Sequence, residues 1–467
     1  MTTHHRPTWS RAAGCLLLCT ALAASLPALG ARAATTDPDP SPREIANAAL
    51  SRQAATEGMV LFENAGALPM AARGNVALFG YGAYATVKGG TGSGDVNNRT
   101  TVNVRQGFEK AGFTITTSAG YWDAMVAAKA EQALTTDTAR PSESTKTAVF
   151  VLSRNSGEGR DRSATKGDYY LTDTESANLA LLARTYRQVV VVLNVGAVVD
   201  TAFFDDMNDR ILDPRGGQGL DALLLMSQPG QEAGNALVDV LTGAVTPSGK
   251  TVDSWASSYD YYPAAKTFSN NDGQFTPEVY SEGVYVGYRY FDSFYRKINR
   301  AKPGSVVDYP FGFGESYTTF DVKTTSVQAD LQNVSVTVKV TNTGRAYAGN
   351  QVVQVYFSAP QDGLDKPYQE LAGYAKTDLL RPGQSQQLKV SFATTEMASY
   401  DAAKSANVMD AGDYLIRVGD SSRTTAVAAK LRLDRRLVTE KLSAQLDAPT
   451  IKKELTSNPA QLLQQPR

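Results

Sequence analysis

Up to about residue 300, short continuous apolar runs alternate with segments of helical period. Val76-Ala77-Leu78-Phe79, Ala148–Leu152, Val189–Val195 and Ala222–Met226 are unbroken and branched, the pattern of strands buried on both faces. Between them the spacing predicts a helix over Asp173–Tyr186, opened by the capping box Thr172-x-x-Glu175. A second helix is predicted over Gln231–Leu241, stopped by Gly243. This alternation implies a layered α/β domain with a parallel sheet. After Phe311-Gly312-Phe313-Gly314 the period falls to two, in Val334–Val340, Val352–Phe357, Gln387–Phe392 and Tyr414–Val418. Short alternating strands with regular turns predict a small β-sandwich. The tail Arg435–Arg467 is polar and Gln-rich, has no core of its own, and reads as two weak helices.

The chain opens with Arg6 and Arg11, the apolar segment Gly14–Leu29, and the small-residue site Ala31-Arg32-Ala33. That is the layout of a secretory signal over residues 1–33, and the apolar run falls short of the roughly 20 residues a membrane span needs. Export to the outside or the periplasm is the expectation. Removal of that segment takes away Cys15, Cys19, His4 and His5, which are all the cysteines and histidines of the chain. What remains has no disulfide, thiol nucleophile, imidazole base or Cys/His metal site, so serine–histidine triads and zinc hydrolases are excluded. It carries 43 basic and 47 acidic residues, a net charge of −4, with no basic run. Nucleic acid and anionic membrane are therefore not expected partners, and no cofactor or metal is expected. Carboxylates, tyrosines, lysines and hydroxyls are left for chemistry.

The most informative stretch is Ser153-Arg154-Asn155-Ser156-Gly157-Glu158-Gly159-Arg160-Asp161-Arg162, which follows the apolar run Ala148–Leu152. Open α/β sheets place their chemistry beyond the carboxyl ends of their strands, and glycines on both sides of Glu158 let a substrate approach. Two look-alikes fail. Gly80-Tyr81-Gly82-Ala83-Tyr84-Ala85 matches a dinucleotide fingerprint, but the flexible run Lys88–Asp95 stands where the phosphate-binding helix should be. Gly243 to Thr251 nearly spells a phosphate loop, but its glycines are one residue too far apart and Pro247 interrupts it.

Six motifs occur in order: Glu57–Asn64, Gly89–Asp95, Ser156–Arg162, Gly230–Asn235, Glu282–Tyr290 and Pro310–Tyr317. Together they closely resemble the second domain of glycoside hydrolase family 3, the β-glucosidase-like enzymes. The following region resembles that family's fibronectin type III-like domain, marked by Lys366-Pro367-Tyr368-Gln369-Glu370-Leu371. The resemblance implies an (α/β)6 sandwich over residues 34–300, a fibronectin type III-like β-sandwich over 301–433, and a linker-like tail over 434–467.

It also implies hydrolysis of β-linked glycosides with retention, by two carboxylates about 5–5.5 Å apart. In many members a glutamate in a Ser-Gly-Glu-Gly loop is the acid/base, and Glu158 occupies that place. Arg160, Asp161 and Arg162 would then shape its pKa, and Lys88 to Asp95 would form a second loop on the sugar side. The family's nucleophile lies in a (β/α)8 barrel marked by Lys-His-Phe and Ser-Asp-Trp. Neither motif is present here. Asp253-Ser254-Trp255 only reverses the second and reads as structural. A signal directly before the sandwich domain fits the members that run sandwich, fibronectin-like domain, then barrel.

Two expectations follow. One is the acid/base half of a secreted β-glucosidase-like hydrolase, with a β-linked glycoside or oligosaccharide as substrate and the barrel either lost by truncation of the gene or carried on a separate polypeptide. The other is a non-catalytic accessory module that binds sugars or protein.

Overall fold

The computed structural model describes residues 39–142, 144–158, 161–211, 219–269, 279–295, 306–445 and 454–457. The signal-like segment 1–33 lies outside them. The described residues up to Asn47 belong to one compact unit, and those from Ala48 onward to another. In the first, the Ser41 N–H and hydroxyl donate to Glu44 Oε2 at 2.8 Å each, and the Glu44 N–H returns a bond to Ser41 Oγ. That pairing opens the helix Pro42–Gly58.

The second unit begins with strands β1 (Val60–Asn64), β2 (Gly74–Phe79), β3 (Phe113–Ile115), β4 (Thr147–Arg154), β5 (Gln188–Val195) and β6 (Ala222–Leu225). They form one sheet in the order β1-β6-β5-β4-β2-β3. All pairings are parallel except β1 with β6. β4 and β5 are in register from Thr147 opposite Gln188 to Arg154 opposite Val195. Their apolar side chains are buried along nearly the whole of both strands, the mark of a sheet covered on both faces. The capping box at Thr172 and Glu175 opens the helix Asp173–Thr185 as expected. The later helix starts at Ala233 rather than Gln231 and ends at Leu241. Gly80–Ala85 folds into the four-residue helix Tyr81–Tyr84 packed on β4.

β7 (Trp255–Ala256) pairs with β8 (Val307–Tyr309). The Tyr309 ring stacks on Phe62 at 4.1 Å, and Phe62 meets Trp255 edge-on at 5.0 Å. Residues 307–309 thus pack with the α/β layer. Asp253, just ahead of β7, lies beside this structural pairing.

Beyond it stands an antiparallel sandwich. One sheet joins Ser385–Ala393, Asn333–Asn342 and Phe320–Ala329, and the other joins Glu370–Lys376, Val352–Ser358, Gly412–Gly419 and Ala426–Leu433. Val334, Val336, Val338 and Val340 point into the shared core with Val353, Val355 and Ile416. The period-two pattern is this alternation of core and solvent. The described start of the tail departs from the expectation of weak helices, and residues 446–453 and 458–467 lie outside the described residues. Leu437–Lys441 is a strand paired with Ala406–Met409, itself paired with Ser399–Asp401. Its side chains are mostly exposed, so no face was marked in the sequence, and the partner strand decided its conformation. No helix among the described residues is long and apolar enough to cross a membrane.

Candidate active site

The site grows from the carboxyl ends of β4 and β5. At the end of β4, the buried Arg154 guanidinium meets the buried Glu175 carboxylate at 2.8 and 2.7 Å. Arg154 also donates to the carbonyls of Asp168 (2.9 Å) and Ser153 (2.8 Å). One ion pair therefore ties the strand end, the helix start and the far limb of the Glu158 loop together. At the end of β5, Asn194 is fully buried. Its Oδ1 accepts the Val87 N–H at 2.7 Å, and its Nδ2 donates to the carbonyls of Val87 at 2.9 Å and Ser227 at 2.7 Å. Val87 is where the second glycine-rich loop begins, so the tip of β5 fixes that loop's root.

From this root the loop 88–98 closes on itself. Lys88 Nζ donates to Asn98 Oδ1 at 2.8 Å and to the Val96 carbonyl, and lies 3.3 Å from the Asp95 carboxylate. Asn98 donates in turn to Gln231 Oε1 at 3.1 Å, and the Lys88 carbonyl accepts the Gly230 N–H at 2.8 Å. Both expected residues of this loop, Lys88 and Asp95, thus work as a pair across its neck.

The tip of the loop reaches Glu158. The Ser93 hydroxyl donates to Glu158 Oε1 at 2.6 Å and the Ser93 N–H to Oε2 at 3.1 Å. First the hydroxyl and then the amide hold this exposed carboxyl below the usual glutamate range. Glycine is required on both sides of the contact. A Cβ on Gly157 would stand 2.3 Å from the Thr91 nitrogen, and one on Gly92, at φ +67°, would stand 2.3 Å from Glu158 Oε2.

Arg162 is paired with the Asp168 carboxylate and donates to the Asp168 carbonyl at 2.9 Å. Partial burial works against the Asp168 charge. The Ser163 N–H and hydroxyl, with Arg162, outweigh that and hold its carboxyl below the usual range. Asp161 and Arg162 line a cleft of about 610 Å³, with Asn155, Ser156 and Lys129 on its walls. Arg160 lies outside the described residues. The structure therefore pairs Lys88 with Asp95 at the neck of the loop, sets Ser93 of the same loop against Glu158, and commits Arg162 to Asp168. Ser93, Asn194, Asp168 and Glu175 were not singled out for the site from sequence. Only Glu175 carried a local signal, through its capping box.

This geometry presents one ionised, solvent-facing carboxylate, oriented by two donors, at the open end of a parallel sheet. It is suited to proton transfer with a ligand lying over the sheet edge.

Residues 59–288 match the glycosyl hydrolase family 3 C-terminal domain, and residues 351–422 match the fibronectin type III-like domain. A similar protein is β-glucosidase A of Butyrivibrio fibrisolvens, 35% identical over 466 residues, an alignment covering 88% of this chain and 54% of that one. A β-glucosidase of Paenibacillus barengoltzii has a similar structure, with a TM-score of 0.78 at 33% identity over 87% of this chain and 45% of that one. β-Glucosidase 3B of Thermotoga neapolitana, solved with α-D-glucose, gives a TM-score of 0.75 at 33% identity over 86% of this chain and 56% of that one. The chain spans about half the length of these relatives. Through an α/β domain and a fibronectin type III-like domain in that order, the chain belongs to glycosyl hydrolase family 3.

Proposed function

We propose that this chain supplies the acid/base side of a retaining β-glycosidase, with Glu158 as the proton-transfer residue. The observation that carries the reading is the Glu158 carboxylate, exposed beyond β4 and held by Ser93. In the first half-reaction Glu158 would protonate the departing glycosidic oxygen. In the second it would take a proton from the water that releases the sugar. The nucleophile would come from a (β/α)8 barrel outside these residues, the substrate would be a β-linked glycoside or oligosaccharide, and segment 1–33 would direct export. An acid without a nucleophile forfeits covalent catalysis, so the chain alone should be inert.

The test is hydrolysis of aryl β-glycosides by the exported chain, alone and mixed with the unmatched half of Butyrivibrio fibrisolvens β-glucosidase A. Glu158→Gln is the control. Activity is expected only in the mixture. The variant should lose it for poor leaving groups and regain it for activated ones when azide replaces the base-assisted water. Glu158→Gln with unchanged activity would overturn the reading.

A second reading, a non-catalytic module that binds sugars or protein, draws support from the same carboxylate. Held ionised, Glu158 is a poor acid near neutral pH. That reading expects oligosaccharide affinity with no hydrolysis in any mixture.

A further inference from the structure

We propose that Ser93 is the positioning residue of Glu158, holding the carboxylate through both of its protonation states. The inference rests on reading Glu158 as the acid/base, and the geometry behind it is independent of that reading. Glu158 is exposed, and a free glutamate side chain at a loop tip samples many rotamers. Here each carboxylate oxygen has its own donor, and both donors belong to one residue.

Ser93 is delivered by an anchored loop. Asn194 grips the root at Val87, Lys88 closes the neck through Asn98 and Asp95, and Gln231 and Gly230 hold the outside. At the tip, the Thr91 and Gly157 backbones meet too closely for any side chain at Gly157. The turn Gly92–Gly94 is thus seated closely against the Glu158 loop, and that seating aims Ser93 at the carboxylate.

The choice of a hydroxyl matters chemically. A backbone N–H only donates, so it favours the ionised carboxyl. A serine hydroxyl donates to the carboxylate and, by rotating, accepts from the carboxylic acid. A residue that is an acid in one half-reaction and a base in the other needs a partner of that kind. An alanine at this position leaves only the amide, and the side chain is then held in the ionised state alone and less firmly.

The test reads Glu158 directly, without catalysis. The full exported chain is labelled with ¹³C at the glutamate carboxyls, and the Glu158 resonance is identified by its loss in Glu158→Gln. It is then titrated in wild type, Ser93→Ala and Ser93→Thr, with thermal melting run beside each. The wild-type midpoint is expected below the ordinary glutamate value. Ser93→Ala should move it up, and Ser93→Thr, which keeps the hydroxyl, should restore it. Mixed with the barrel half, Ser93→Ala should also carry the alkaline limb of kcat/KM to higher pH, because the acid stays protonated further. An unchanged midpoint in Ser93→Ala, with unchanged melting, overturns the proposal. A shifted midpoint together with full activity in Glu158→Gln would instead uphold Ser93 and refute the acid/base role of Glu158.

Discussion

Asn194 at the end of β5 holds both backbone groups of Val87, accepting its N–H at 2.7 Å and donating to its carbonyl at 2.9 Å. A side-chain amide imitates a neighbouring strand here, so a loop that leaves the sheet is still registered against it. Asn194→Ala would strand the two groups of Val87 and the Ser227 carbonyl in a buried setting. The expected loss is on the order of 3 kcal/mol. Asn194→Asp keeps the acceptor and loses both donors, so it should also destabilise. Urea unfolding at constant slope measures both, and wild-type midpoints would show that the grip contributes nothing.

The Arg154–Glu175 pair should behave as a unit. Both side chains are less than a tenth exposed, so removing either leaves a buried charge without its partner. Arg154→Met or Glu175→Gln alone should each cost about 3–5 kcal/mol. The double variant should cost clearly less than the two losses added together. Additive losses in a double-mutant cycle would mean that the two side chains do not interact.

Asp200 supplies a pH dependence. Burial pushes its carboxyl up to about 6 from 3.8; the Ala202 N–H opposes this, and Asp308 and Asp206 add to it. Between those values the folded chain holds a proton that the unfolded chain has released. Stability from this group is therefore complete below about pH 4 and is lost as pH rises through 6. Asp200→Asn keeps an acceptor for Ala202 and carries no charge. It should melt higher than wild type at pH 7, with the difference shrinking at pH 4. An equal difference at both pH values would remove Asp200 as the cause.

Gly157→Ala should detach the two loops while sparing the sheet. Its Cβ would meet the Thr91 backbone at 2.3 Å, which forces the tip of loop 88–98 away. Amide exchange over residues 89–98 should quicken while the global unfolding midpoint stays near wild type. The Glu158 titration should move upward, as in Ser93→Ala. Slow exchange retained in that loop would show that the contact tolerates a methyl group.

Much of the architecture is legible in the sequence because burial is written into it. β4 and β5 are buried along nearly their whole length, so their middles, Ala148–Leu152 and Val189–Leu193, run apolar without alternation. The sandwich strands bury one face each, which marks them with a period of two. The capping box at Thr172 is a local device, readable from a spacing of three. Where neither periodicity nor local chemistry operates, reading fails. Leu437–Lys441 is exposed on both faces and is a strand only because Ala406–Met409 accepts its ladder. Val307–Tyr309 joins the α/β layer because Trp255–Ala256 and Phe62 lie beside it.

For the site, the sequence by itself determined that a glutamate between glycines follows a buried strand, and that a second glycine-rich loop exists. Only the tertiary structure decided that Ser93 meets Glu158, that Lys88 spends its charge on Asp95 and Asn98, and that Arg162 is committed to Asp168. Burial and capping are properties of a residue and its near neighbours along the chain, so they leave a pattern there. A hydrogen bond between residues 65 apart depends on how two strand ends are placed in one sheet, and it leaves no pattern at either end.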